Sequence, residues 1–345
     1  MLNSSLWQMI LGRLREFQRE PSAMVFVLTM PLVWMMLLGF VFSDPKPQTY
    51  GVGVHMSVPS EVKIALQKTP YLDVRVSEQL EDFRNPIRRG ELQVVVSLLA
   101  DGRYRYQYDP GHPKGLEARR ALDEIVQRSL GRADAVSFYD EPKQETGGRY
   151  IDFLIPGLLA LSLFTTSLFG TGMTIVASRR ENILKRYRAT PMSPILYFIS
   201  HILGRYVISF IEFSVIMIAG WLFFGFQVSG SWCLFALLCV LGTAAFTALS
   251  ILCGARTANS AAYAGMNNLV TLPMMILSGV WFSRHSFPEW LSFICDLLPL
   301  TPLVDGLRRV ALEGADMAAV QSEMLILVVY TVGATALTKK IFRWY

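Results

Sequence analysis

The sequence predicts an α-helical polytopic membrane protein. It has six transmembrane helices, an N-terminal amphipathic interfacial helix, and an α/β extracytoplasmic domain between helices 1 and 2. Three observations carry this. The 345 residues are 52% hydrophobic and only 17% charged, against about 25% charged in ordinary soluble domains. The apolar residues gather in runs of the roughly 20 residues a helix needs to cross a bilayer. With six such runs, the basic residues of every short loop fall on one side.

Residues 1–20 form the interfacial helix. Leu6, Trp7, Ile10, Leu11, Leu14 and Phe17 recur at three- and four-residue spacing, with Arg13, Arg15 and Glu16 opposite them. A plain buried helix is the weaker reading, because a spanning run follows just after Pro21. The first span is 23–42. Its polar lead-in is long, and Phe42-Ser43-Asp44-Pro45 has no small-x-small cleavage pattern, so it reads as a retained signal anchor.

Residues 43–148 are hydrophilic and of the size of one domain. TYGVGVHM, LDVRVSE, LQVVVSLL, YRYQYD and VSFYDE read as strands; EVKIALQK, EQLEDFRNPIRRG and GLEARRALDEIVQRSL read as helices. Asp101-Gly102 signals a tight hairpin. The four cysteines (Cys233, Cys239, Cys253, Cys295) all lie beyond this domain, so it must be held by its core alone. The four histidines have no metal-ligand spacing. A phosphate-cradling glycine loop and a catalytic constellation are missing from it.

Residues 150–345 carry the other five spans, at Tyr150–Ala177, Tyr197–Phe226, Trp232–Ala255, Ala261–Phe282 and Val320–Thr338. Arg13, Arg15 and Arg19 precede the first span, Arg256 lies between the fourth and fifth, and Lys339, Lys340 and Arg343 follow the sixth. This side is cytoplasmic, with both termini, and the insert lies outside. The same clustering at helix ends sets aside nucleic acid as the reason for the net charge of +5. Residues 284–315, broken by Pro288, Pro299 and Pro302, suit two re-entrant helices on the outer side. There a solvated face is expected for Arg308 and Arg309, with contact to anionic groups as the alternative.

The densest basic run, residues 179–190, lies between the second and third spans. Orientation alone explains such a cluster. Here, however, Ile183, Leu184 and Tyr187 line one face of a short helix, and Pro191 then stops it. Such an element is suited to pass a push from a cytosolic partner to two spans. RRENILKRYRATPMSP resembles the corresponding loop of ABC-2 type transporter permeases, drug-exporter permeases above all. FPEWLSFICDLLPLTPLVDGLRRV resembles the segment before their last span. Asn182-Ile183 departs from that pattern, in which many relatives carry Gly before the aliphatic residue.

The resemblance implies that 179–190 is a coupling helix docked on an ABC ATPase, with Glu181, Leu184, Arg186, Arg188, Thr190 and Pro191 as the contact region. It implies two ATPase subunits, which hold the ATP and Mg, and a second permease chain, either a copy or a sister. No cofactor is expected on this chain, which lacks G-x-x-x-x-G-K-[ST]. An EAA-type importer loop is also missing, which points to export. The implied setting is a bacterial cytoplasmic membrane, with lipid and an extracytoplasmic accessory protein as further contacts. The substrate class stays open.

Within the spans, Glu212, Asn267 and Asn268 are the pathway candidates, each with a structural role as the alternative. Arg205 is on the face of Glu212 but about 10 Å along the axis, too far for a direct pair to be expected. The competing reading of the whole is a membrane-anchored receptor or scaffold whose outer domain binds a ligand without translocation. A secondary transporter is disfavoured, because no inverted repeat is visible.

Overall fold

In the computed structural model, residues 7–9, 11, 12, 15, 18, 19, 21–43, 49–111, 113–132, 149–189, 194–282, 284 and 287–342 are described. The described residues from 7 to 19 are helical. Along the chain follow α1 (Pro21–Ser43), β1 (Tyr50–His55), α2 (Ser60–Lys68), β2 (Leu72–Ser77), a 3-10 turn at Leu80–Phe83, α3 (Arg84–Arg88), β3 (Val94–Leu98), β4 (Tyr104–Tyr108) and α4 (Pro113–Ser129). Then come α5 (Tyr150–Arg180), α6 (Ile183–Arg188), α7 (Pro194–Phe224), α8 (Trp232–Gly254), α9 (Ser260–Leu277), α10 (Glu289–Asp296), α11 (Leu300–Glu313) and α12 (Gln321–Ile341). The chain divides into two compact units, 44–143 and the remainder.

The smaller unit holds a four-stranded sheet in the order β2-β1-β3-β4. β1 runs parallel to β2 and β3, and β4 returns antiparallel to β3. Alternation puts Val52, Val54, Val94 and Val96 on one face, against Val62 and Leu66 of α2 and Ala118, Leu122 and Val126 of α4. The other face is covered by Phe83, with Ile87 and Leu92, over Val95. The hairpin turns at Gly102, whose φ of +80° favours glycine. The expected helix in EQLEDFRNPIRRG is shorter than the sequence implied: a 3-10 turn and five residues of α-helix, ended by Gly90 at φ +71°. The strand expected in VSFYDE lies outside the described residues.

In the larger unit α5 is the central helix. It is buried on nearly every turn and packs against α1, α7, α8, α9 and α11. Among the described residues four helices are long and apolar enough to cross a membrane: α5, α7, α8 and α12. α10 and α11 meet at 91° and pass the same test only as a pair, as a broken span or a re-entrant loop. α1 is helical over 23 residues, Pro21–Ser43, where the first span was expected.

The fifth expected span, to Phe282, is corrected: α9 ends at Leu277, where Gly279 turns at φ +73°. Local chemistry sets the helix ends. Asn259 Oδ1 accepts from the Ala261 and Ala262 amides to cap α9, and Ser231 Oγ from Leu234 to cap α8. Gly225 (φ +64°) follows α7 and Gly314 (φ +66°) follows α11.

Candidate functional site

α5 reaches Arg180, and within two residues the chain has begun α6. Asn182 makes the turn, in the left-handed region at φ 58°, ψ 18°; among the described residues it is the one non-glycine with positive φ. Asparagine tolerates this region better than other non-glycine residues. The departure from the family pattern thus meets the same backbone need that a glycine would.

The six residues of α6 are seated by one side chain. Leu184 is fully buried among Ile175 of α5, Tyr197 and Phe198 of α7, and Ile251 of α8. Tyr187 lies against the Tyr197 ring at 5.5 Å. Glu181, Lys185 and Arg186 are exposed. The contact set therefore divides. Leu184, named with it, is turned into the protein and holds α6 down on three helices, while Glu181 and Arg186 face outward. Arg188 ends α6, and Thr190 and Pro191 lie outside the described residues.

Arg179 was not singled out in the sequence, and the structure buries it. Its guanidinium donates to the carbonyls of Gly254 and Ala255, each at 2.8 Å, and of Thr257. Gly254 and the cap Ala255 offer acceptors left open at the C-terminal end of α8, and Thr257 lies just past it. Phe342, just beyond α12, lies beside the same guanidinium. A basic residue in a basic run looks solvated in sequence; the one signal against that was its place on the last turn of an apolar helix.

Deeper in the bundle, Arg205 and Glu212 are paired directly, at 2.6 Å. The expectation from axial separation is corrected: the rise between the α-carbons is bridged by two long side chains on one helix face. Glu212 Oε2 also accepts from Thr166 at 2.9 Å and Ser162 at 3.3 Å, both on α5, and Arg205 donates to the Thr166 hydroxyl. Every member of this network is within α5 or α7.

The two asparagines separate. Tyr263, Asn267 and Thr271, four residues apart, form the buried face of α9. Tyr263 donates to Leu168 O at 2.6 Å, so this face meets α5, and Gly172 of α5 leaves room for the tyrosine hydroxyl. Asn268 points the other way and is exposed, beside exposed Leu269, Leu272 and Ile276. A Cβ at Gly265 on that face would meet no atom of the described residues within 4 Å.

At the opposite end, Arg308 is not solvated. It donates to Phe153 O at 3.1 Å and Val280 O at 2.9 Å, and lies 3.5 Å from the Phe153 ring centre. Gly157 is where α5 admits it: a Cβ there would meet Arg308 Nη2 at 2.9 Å. Arg284 ties Asp296 of α10 to Asp305 of α11, and Arg309 pairs with Glu323 of α12 at 2.6 Å. Arg284 and Arg309 meet carboxylates of the chain itself, and Arg308 its carbonyls.

A bundle of apolar helices around α5, with a short helix seated at one end and an α/β insertion after the first helix, defines a multi-pass membrane protein. The chain belongs to the ABC-2 family: the family model described as "ABC-2 family transporter protein" matches residues 21–338. It is thereby a membrane component of an ABC transporter. Among curated proteins it is similar to "ABC transporter G family member 20" of Dictyostelium discoideum, 23% identical over 169 residues. That match covers 49% of this chain and 23% of the relative, so the chain spans less than a quarter of that protein's length.

Proposed function

We propose that this chain is the permease subunit of an ATP-driven ABC-2 exporter of a bacterial cytoplasmic membrane, and that a separate ATPase subunit docks on residues 179–190. The observation that carries this is the seating of α6. A six-residue helix is pinned by Leu184 to α5, α7 and α8, with Glu181, Lys185 and Arg186 left exposed. A partner that moves α6 moves three helices.

In this reading α1, α5, α7, α8, α9 and α12 are six spans, and α10–α11 is a re-entrant pair on the outer side. That count puts Arg15, Arg19, Lys185, Arg186, Arg256, Lys339 and Lys340 in the cytosol. The α/β unit is then extracytoplasmic, open to an accessory protein. Two ATPase subunits carry the ATP and Mg.

A second permease chain covers α9. An exposed amide in a spanning helix is costly against lipid, and a facing helix supplies both its partner and close approach at Gly265. Asn268 then borders the path between the two chains, while Glu212 ties α7 to α5; the Asn267 amide is buried with no hydrogen-bond partner among the described residues. The test is purification of the tagged chain: an ATPase is expected to come with it, and Arg186→Glu is expected to weaken that association without loss of fold. A complex unchanged by R186E argues against docking at α6.

A further inference from the structure

We propose that Arg179 is a positioning residue that carries the displacement of α6 into α8. This rests on the reading of α6 as the docking helix. Arg179 stands three residues before Asn182, in the last turn of α5 just ahead of the left-handed turn. Its side chain grips the end of α8 through three carbonyls, those of Gly254, Ala255 and Thr257. The planar guanidinium satisfies several acceptors at fixed angles; a lysine offers a single charge on a flexible stem.

The grip is doubled. Leu184 of α6 packs on Ile251, one turn earlier in α8. An apolar contact and a polar one thus join the α5–α6 corner to the same end of α8. A third helix is drawn in: Phe342 follows α12 and lies 5.4 Å from the guanidinium, and Arg256 Nε donates to Ile341 O at 3.3 Å. α8 is also packed along α5, α11 and α12. Movement at this corner therefore has a stiff route toward the re-entrant pair through α8, with Arg179 as its first link. If Arg179 were only an orienting charge, any cation in solvent would serve, and burial against carbonyls would have no purpose.

The test uses the full complex, chain with co-purified ATPase, in lipid vesicles. Hydrogen–deuterium exchange is read without nucleotide and with ATP plus orthovanadate, for wild type, Arg179→Lys and Arg179→Met. In wild type, amides of residues 183–189 and of 250–257 are both expected to change severalfold on trapping. In R179K and R179M the ATPase stays bound and 183–189 still responds, while the response at 250–257 falls to background. R179K keeps the charge and loses the fork, so a merely electrostatic role predicts rescue by it. An α8 that responds equally in all three proteins overturns the proposal alone. A complex without ATPase, or residues 183–189 that ignore nucleotide, defeats the docking reading and the proposal with it. Should both variants fail to assemble, Phe342→Leu is read instead: a partial loss at 250–257 is expected, and an unchanged response overturns the proposal.

Discussion

Arg205 and Glu212 lie seven residues apart on α7 and form a direct ion pair, 2.6 Å long and closed to solvent. Thr166 and Ser162 of α5 complete the carboxylate's hydrogen bonds. The pair is thus a crosspiece between two spans. Breaking it from one side leaves a buried charge uncompensated, at a cost of about 3–5 kcal/mol, whereas removing both charges costs much less. We predict that Arg205→Met lowers the unfolding temperature in detergent strongly, and that Arg205→Met with Glu212→Gln together restores much of it. Additive losses in that double-mutant cycle would contradict the pairing.

Asn182 gives a second prediction. Its left-handed backbone suits glycine and asparagine, and costs other residues about 1–2 kcal/mol. Asn182→Gly is expected to be nearly neutral. Asn182→Val is expected to unseat α6, seen as faster amide exchange over 183–189. Equal behaviour of the two variants would refute the role of the turn.

Leu184 and Arg186, two residues apart, should separate fold from partner. Leu184→Ala opens a cavity under α6, worth about 2–5 kcal/mol in a packed core, and should lower thermal stability. Arg186→Glu should leave stability unchanged and reduce recovery of the ATPase. A destabilised R186E or a stable L184A would show that the two faces of α6 have been assigned the wrong way round.

These three sites also show how far the sequence was readable. Of the five strands expected in the insert, four lie in described residues and were legible, β2 and β4 with an exposed face and β1 and β3 as valine-rich runs buried on both faces. The hairpin was legible because Asp101-Gly102 leaves little else to form. Leu184 was read on one face with Ile183 and Tyr187, and through the resemblance also in the contact region; Arg179 was passed over, because a basic run gives no clue that one of its arginines turns inward, which the packing of α5 against α8 decides. The Arg205–Glu212 pair was missed because axial rise was weighed without side-chain reach or the hydroxyls of a neighbouring helix. Asn267 and Asn268 were treated alike although adjacent helical residues point about 100° apart. α9 was drawn too long because Gly279 was read as part of an apolar run.

The α/β unit offers a pH dependence. Burial, together with the hydrogen bond Tyr106 donates to Asp123 at 3.0 Å, pushes the tyrosine hydroxyl well above its usual value. The raised value means that the folded state holds its proton longer than the unfolded chain. This contribution is complete below about pH 10 and is lost as the pH rises beyond it. Resistance of residues 49–132 to an alkali-tolerant protease should therefore fall above about pH 10 in the wild-type chain. Tyr106→Phe should flatten that fall. The same steepness in both proteins would exclude the hydroxyl as its cause.

The central claim is that α6 is where a separate ATPase takes hold. The most direct measurement places a photo-reactive residue at position 186 of the otherwise intact chain, in its native membrane, and identifies what it captures. The account predicts capture of a nucleotide-hydrolysing subunit, lost when the photo-reactive residue is moved to buried position 184. Capture of lipid alone, or reaction only with probes applied from outside the cell, would contradict it.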